Sequence, residues 1–150
     1  MRHVMENKIY AVIDTNVIVS ALISQRVNSY PLTILSYVYS GRIIPIYNYE
    51  VIKEYNEVLT RKKFNLNSED IDIALKIIQK YGINASRIKE IEESFPDPKD
   101  IVFYELALSK DGAYLITGNK KHFPDKQFVV TPKDIVLLLD NILDHCLSQN

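Results

Sequence analysis

Short apolar runs alternate with helical patterns along this chain, and several of the apolar runs end abruptly in a polar residue. Residues 9–13 precede Asp14, and residues 114–116 precede Thr117. Apolar runs with this length and ending are typical of buried parallel strands. Ligands of open α/β sheets bind beyond the carboxyl ends of such strands, so the pattern predicts polar groups gathered at one edge of a sheet.

The pattern predicts five strands that alternate with six helices, which indicates an α/β fold with a mainly parallel sheet and helices on both faces. The expected strands are residues 8–13, 43–47, 87–91, 113–117 and 127–130. Asn16 is expected to cap the first helix, which carries apolar residues as far as Leu22. The other expected helices are residues 31–40, 49–61, 68–81, 98–110 and 132–145.

Composition narrows the class of protein. The chain has 150 residues, of which 47% are hydrophobic and 25% charged, and it has no Gly-, Ser- or Pro-rich linker. Residues 1–150 are therefore expected to form a single globular domain.

A net charge of −1 argues against an obligate coat protein for nucleic acids, but not against a nuclease. Because there is one cysteine, Cys146, and no signal peptide or apolar stretch long enough to span a bilayer, we expect a soluble cytoplasmic protein.

Four acidic residues are candidate ligands at the expected edge of the sheet. Asp14 ends the first apolar run, although it could instead cap the next helix. Glu54 lies beside the apolar face of its helix, where a carboxylate needs either a metal ion or a neighbouring Lys or Arg. Asp97 and Asp100 begin a helix, at which Asp97 is a good cap and Asp100 is favoured by the helix dipole. Asp100 shares a face with Phe103, so it is expected to point toward the protein.

Each of the other polar side chains has two possible roles. Asn119 could supply a neutral oxygen ligand or serve as a turn residue, and Thr117 could add a hydroxyl or only close the turn. His122 could act as a general base, but a surface or turn position is the more common one. Two basic clusters could contact phosphates or could be solvated turns, and they consist of Arg61, Lys62 and Lys63, and of Lys120 and Lys121.

Carboxylates that converge at the edge of a sheet are typical of a site for a hard cation such as Mg²⁺ or Mn²⁺. That chemistry indicates a hydrolase acting on phosphate esters. The chain has no P-loop glycine motif and no G-x-S-x-G motif. Its three dispersed histidines and one cysteine do not make a zinc cluster.

The order and spacing of these motifs resemble those of PIN-domain ribonucleases, in particular the toxin components of prokaryotic toxin–antitoxin systems. The resemblance extends over about residues 8–140. The residues that carry it are 11–17, Glu54, 97–107, 114–123 and 129–132.

This resemblance implies a three-layer α/β/α sandwich whose five-stranded sheet has the order 3-2-1-4-5. It implies Asp14, Glu54 and Asp100 as catalytic acids that bind Mg²⁺ or Mn²⁺. It also indicates Asn119 as a catalytic residue, at the position where many members carry a fourth Asp. The positions expected to support them are Asn16, Asp97 and Thr117. The resemblance further implies RNA as the substrate, inhibition by a small antitoxin protein, and a homodimer.

Two functions from other classes remain open at the level of the sequence. A non-catalytic RNA-binding or protein-interaction module could keep the fold with a weakened site, which suits the missing fourth acid and the lack of overall basicity. A metal-dependent phosphatase would turn over a small phosphate ester faster than RNA.

Overall fold

The computed structural model describes residues 8–24, 28–88 and 93–148, with side chains as far as residue 141. Its strands are β1 (Ile9–Ile13), β2 (Ile43–Tyr47), β3 (Ile83–Asn84), β4 (Tyr114–Ile116) and β5 (Val129–Val130). Its α-helices are α1 (Thr15–Ile23), α2 (Tyr30–Tyr39), α3 (Tyr49–Leu59), α4 (Ser68–Tyr81), α5 (Ile101–Ala107) and α6 (Pro132–Ser148). Short 3₁₀ turns cover Lys62–Phe64, Pro98–Asp100 and Lys120–His122.

All five strands pair in parallel, in the order β3-β2-β1-β4-β5. This confirms the predicted α/β fold and its strand order. The central strand β1 is apolar and buried at Ala11, Val12 and Ile13 because both of its neighbours and helix α5 cover it. Helix α2 packs against α1, α4, α6 and β2. Within the described residues, no helix is both long and apolar enough to cross a lipid bilayer.

The third strand was predicted in the wrong place. It lies at Ile83–Asn84, not at residues 87–91, of which 89–91 fall outside the described residues. Helix α4 can lead directly into this strand because Gly82 packs against backbone, where a Cβ atom would collide with the carbonyl oxygens of Ile78 and Pro45. The Arg87 side chain contributes instead to an ion-pair cluster with the helices.

Helix boundaries differ from the expected ones in several places. Helix α1 is capped by Asp14 and not by Asn16, which lies inside the helix. The helix expected over residues 98–110 consists of a 3₁₀ turn followed by α5, and α5 already ends at Ala107. The remaining strand and helix ends agree within a few residues, which is the usual scatter for fraying termini.

Parallel pairing brings the carboxyl ends of β1 and β4 to the same edge of the sheet. The Asp14 amide donates to the Ile116 carbonyl at 2.8 Å, and the Thr117 amide donates to the Val130 carbonyl at 2.9 Å. The ladder therefore extends one residue beyond the strands on both sides, and it places Asp14 and Thr117 side by side.

Candidate active site at the carboxyl edge of the sheet

Asp14 lies at this edge with only 5% of its surface exposed. One carboxylate oxygen, Oδ1, accepts from the Thr15 amide at 2.8 Å, and the other, Oδ2, accepts from the Thr117 hydroxyl at 2.7 Å. Burial raises the pKa of Asp14 above its ordinary value and the nearby Glu54 adds to this, whereas the two hydrogen bonds and His122 oppose it. Each oxygen keeps a free lone pair, so Asp14 is oriented without being saturated.

Glu54 is brought to the same edge by the residue that follows it on α3. The buried hydroxyl of Tyr55 donates to the Ile13 carbonyl, which ties α3 to the end of β1. Burial raises the pKa of this hydroxyl well above its ordinary value, and the charge of Asp14 adds to the rise, so Tyr55 stays neutral and keeps donating. Glu54 itself is half-buried.

Asp100 completes the group of acids from a third element, the 3₁₀ turn before α5. Its side chain is 14% exposed, and its Oδ2 atom is buried without a hydrogen-bond partner among the described residues. His122 Nδ1 lies 3.5 Å from this oxygen, which is an ion-pair distance but too long for a good hydrogen bond. Burial raises the pKa of Asp100 to about 6, with contributions from the charges of Asp14 and Asp97.

These side chains surround one open cleft of about 350 Å³, here called the acidic cleft. Its polar lining includes Asp14, Asn16, Glu54, Asp97, Asp100 and His122. Four acids that the sequence separates by as much as 86 positions, from 14 to 100, therefore share one solvent-filled space. Like charges at such a site are tolerable when a cation or a proton neutralises them.

Two of the predicted supporting residues hold the edge together. The Asn16 side-chain oxygen accepts from the Gly118 amide at 3.0 Å, which joins α1 to the segment after β4. A Cβ atom at Gly118 would lie 3.3 Å from that oxygen, so the close approach favours glycine. Thr117 is fully buried, donates to Asp14, and accepts from the Asn119 amide at 3.0 Å.

Asn119 does not line the acidic cleft. It is exposed, its side-chain oxygen accepts from the Lys121 amide at 3.3 Å, and its amide nitrogen lies 3.0 Å from His122 Nε2. The Asn119 side chain thus caps this turn and contacts the His122 ring. His122, for which the sequence favoured a surface or turn position, lines the cleft.

The two basic clusters lie on exposed 3₁₀ turns and outside the lining of the acidic cleft. Lys62 and Lys63 are exposed, as are Lys120 and Lys121. The cation that does line the cleft is Lys99, from the turn that carries Asp100. In the sequence, Lys99 stands out only as a residue of the segment that begins a helix with Asp97 and Asp100.

The donor chemistry of the acidic cleft fits a hard divalent cation. Its ligand atoms are carboxylate oxygens, and Asp100 Oδ2 is buried without the partner that burial of a charge requires. In their present positions, the described His, Cys, Asp and Glu side chains do not form a group of three that could hold a metal ion.

Comparison with known proteins supports one family. No curated protein and no solved structure matches the chain. A family profile described as PIN domain matches residues 10–121, which span β1 to β4 and nearly all of the acidic cleft. Because the match covers most of the chain and the sheet has the order predicted from the resemblance, this protein belongs to the PIN-domain family, whose members are generally nucleases.

Proposed function

We propose that this protein is a metal-dependent endoribonuclease that hydrolyses RNA phosphodiester bonds and serves as the toxin of a toxin–antitoxin pair. The observation that carries the nuclease proposal is the buried Asp100 Oδ2 atom, which has no described hydrogen-bond partner and lies in one cleft with Asp14 and Glu54. A buried carboxylate without a partner is costly, and such costs are typical of functional sites.

In this proposal, Asp14, Glu54 and Asp100 hold Mg²⁺ or Mn²⁺. When bound, the cation would supply charge neutralisation for the scissile phosphate and would lower the pKa of an attacking water. Asp14 is kept in place by Thr15 and Thr117, and it retains lone pairs for a ligand. Tyr55 keeps α3, and with it Glu54, at the end of β1.

His122 and Asn119 have supporting roles in the proposed site. The Asn119 oxygen accepts from the Lys121 amide, so its amide NH₂ faces His122 Nε2 and favours the tautomer with hydrogen on Nδ1. That N–H faces Asp100 Oδ2 at 3.5 Å. Asn119 thus acts as a positioning residue, and three acids with Asp97 nearby constitute the proposed cation site.

The decisive experiment compares Asp14→Asn and Asp100→Asn with the natural chain in Mn²⁺-dependent cleavage of a single-stranded RNA. Each change should lower the cleavage rate by about 10³-fold or more. It removes a carboxylate charge that would hold the cation, and the cation would stabilise the charge that develops in the transition state. Both variants should stay folded, because Asn has nearly the shape of Asp. At position 14, Asn can still accept from the Thr15 amide, as Asp14 does. Asp111→Asn, an exposed acid that lines a different cleft, is the matched control and should cleave normally.

Cleavage at the natural rate by either site variant would overturn the assignment. A second candidate function is a non-catalytic RNA-binding module, which the asparagine at position 119 favours because many members of the family carry a fourth Asp there. RNA binding without any metal-dependent cleavage in the natural chain would establish that alternative.

The toxin role and the partners rest on the resemblance in motif order. We propose a small antitoxin protein that inhibits the nuclease and a homodimer as the working form. Exposed tyrosines agree with a protein interface, since Tyr39 and Tyr49 are 65% and 76% exposed. Light scattering over a range of concentrations tests the dimer, and a concentration-independent monomer mass would refute it.

A further inference from the structure

Two oxygen atoms of the acidic cleft are buried without a hydrogen-bond partner. Within the described part of the chain, three buried side-chain polar atoms have no partner, and they are Thr15 Oγ1, Asp100 Oδ2 and Arg42 Nε. Thr15 and Asp100 both line the acidic cleft, whereas Arg42 does not. Because unpaired buried polar atoms are rare in folded proteins, two of them in one cleft indicate a place for a ligand.

Thr15 is held next to Asp14 through its backbone. It is the first residue of α1, and its amide donates to Asp14 Oδ1 at 2.8 Å. The residue is almost fully buried, with 7% of its surface exposed. The backbone of Thr15 therefore orients a carboxylate of the site, while its hydroxyl has no partner among the described residues.

Packing alone does not account for a threonine at this position. The chain has five threonines, and Thr15 is the one whose hydroxyl has no hydrogen bond in the described structure. Valine has nearly the same shape and would fill the same space without burying an unpaired hydroxyl, which costs free energy. The hydroxyls of the other four threonines each form a hydrogen bond, and these are Thr33, Thr60, Thr117 and Thr131.

A divalent cation is the ligand that fits both unpaired oxygens. A hydroxyl oxygen is a hard, neutral ligand, and the Ser or Thr of a P-loop binds Mg²⁺ in this way. Asp100 supplies a hard anionic oxygen in the same cleft. Mg²⁺ binds oxygen at about 2.0–2.1 Å, whereas a water molecule or a phosphate oxygen pairs with a hydroxyl at about 2.7–2.8 Å. The cation therefore needs less room beside these buried atoms than either alternative.

We propose that Thr15 is a further ligand of the cation site, with its hydroxyl oxygen supplying a neutral contact to Mg²⁺ or Mn²⁺ alongside Asp14 and Asp100. This inference rests on the proposed function, in which Asp14, Glu54 and Asp100 hold the cation. It assigns to Thr15 the role of fourth oxygen ligand, which Asn119 does not fill from its position outside the acidic cleft. A neutral ligand adds a contact to the cation without adding to the repulsion among the carboxylates.

The test measures Mn²⁺ binding to the full chain without RNA. Calorimetric titration of Thr15→Val should give an affinity about 10- to 100-fold below that of the natural chain, which is the range for loss of a group that supports a bound metal. Thr15→Ser keeps the hydroxyl and should bind Mn²⁺ as the natural chain does. Thr33→Val is the matched control, since it removes a hydroxyl that donates to the Ser29 carbonyl at 2.9 Å away from the acidic cleft, and it should leave the affinity unchanged.

Thermal unfolding in chelator tests whether the Thr15 hydroxyl is unpaired in the metal-free protein. Thr15→Val should raise the melting temperature by about 2–4 °C, because an unpaired buried hydroxyl destabilises the folded state. Thr33→Val should give no such rise, since its hydroxyl already has a partner. A gain in stability together with a loss of Mn²⁺ affinity is a result that a purely structural threonine would not produce.

A thiol at position 15 tests direct contact with the cation. Thr15→Cys replaces a hard oxygen with a soft sulfur, so the ratio of Cd²⁺ affinity to Mn²⁺ affinity should rise by about tenfold or more over that of Thr15→Ser. Thr33→Cys controls for the added thiol and should keep the natural ratio. Circular dichroism checks that each variant is folded, and Thr15→Cys still decides the question if Thr15→Val does not fold.

The inference would be overturned by unchanged Mn²⁺ affinity in Thr15→Val, by an equal loss in Thr33→Val, or by an unchanged ratio of affinities in Thr15→Cys. A fall in melting temperature for Thr15→Val in chelator would also overturn it, because the hydroxyl would then have a partner already. The same holds if the natural chain binds no Mn²⁺. Weaker RNA binding by Thr15→Val in chelator, with unchanged Mn²⁺ affinity, would assign the hydroxyl to a phosphate instead.

The same series separates this inference from the proposed function. If Mn²⁺ binding depends on Thr15 but the natural chain never cleaves RNA with Mn²⁺ or Mg²⁺, the cation site stands and the nuclease proposal fails. If cleavage depends on Asp14 and Asp100 while Thr15→Val binds Mn²⁺ as the natural chain does, the nuclease proposal stands and Thr15 is not a ligand.

Discussion

Two acids close together on one segment have opposite surroundings. Glu105, on α5, is 2% exposed, and both of its described bonds go to the guanidinium of Arg87. Asp100, just before α5, has a buried oxygen with no described hydrogen-bond partner. A buried carboxylate that is fully paired holds neighbouring elements together, whereas a buried carboxylate oxygen without a hydrogen-bond partner leaves room for a ligand of opposite charge.

Helix α3 shows the same contrast between two of its glutamates, which lie one helical turn apart. Glu50 pairs with Arg87 at 2.7 Å, while Glu54 faces the acidic cleft among other acids. The Arg87 cluster thus fixes α3 and α5 relative to each other, and the acidic cleft lies between elements that this cluster holds in place. Paired carboxylates and carboxylates that line the acidic cleft thus come from the same two helical segments.

The largest change in stability is expected from breaking the paired cluster. Arg87→Met leaves Glu105 buried without its partner, so the free energy of unfolding should fall by about 3–5 kcal/mol. Urea denaturation measures the loss. The double variant Arg87→Met with Glu105→Leu should recover much of it, since no uncompensated charge then remains. A loss below about 1 kcal/mol in the single variant would show that the pair contributes little.

A smaller effect of opposite sign is expected at Asp100, whose Oδ2 atom has no described hydrogen-bond partner. The folded-state pKa of Asp100, about 6, lies above its ordinary value of 3.8. Asp100 therefore contributes favourably to the free energy of unfolding below pH 4, and this contribution is lost as the pH rises through 6. Asp100→Asn removes the carboxyl group and therefore the loss of stability that accompanies its ionisation. Without added metal at pH 7, it should raise the free energy of unfolding by about 1–2 kcal/mol, a range reduced for solvent screening in the open cleft.

The pH dependence provides the check on this second prediction. The advantage of Asp100→Asn over the natural chain should shrink as the pH falls from 7 to 4, because the natural carboxyl becomes protonated in both states. Asp111→Asn is the control, since Asp111 is an exposed acid that lines a different cleft. Destabilisation by Asp100→Asn at pH 7 would mean that Asp100 has a stabilising partner.

The smallest effects are expected at Asn119, which lies outside the acidic cleft. Asn119→Ala should lower the free energy of unfolding by about 0.5–1 kcal/mol, because it removes a turn cap and the support of His122. Asn119→Asp should keep the cap and change Mn²⁺ affinity by less than about threefold, since the side chain points to Lys121 and His122. Calorimetric titration and melting curves measure both. A tenfold gain in affinity for Asn119→Asp would bring this position into the cation site.

Local pattern alone was enough to predict the carboxyl ends of β1 and β4 and the acids at that edge. Apolar strands and the polar residues that end them are adjacent in sequence, so their signal does not depend on the rest of the chain. The same applies to Asp97 and Asp100, whose place at a helical start follows from capping chemistry. The strand order came from the resemblance in motif order and agrees with the structure.

Tertiary packing decided the features that join distant residues. Asn16 bonds to Gly118 across 102 positions and so does not cap its helix, and Arg87 reaches Glu50 across 37 positions instead of extending a strand. The same packing brings His122 into the acidic cleft, leaves Asn119 outside it and buries Asp100 Oδ2. Hydrogen-bond and ion-pair partners depend on which surfaces meet in the fold, and single-sequence patterns carry little information about that choice.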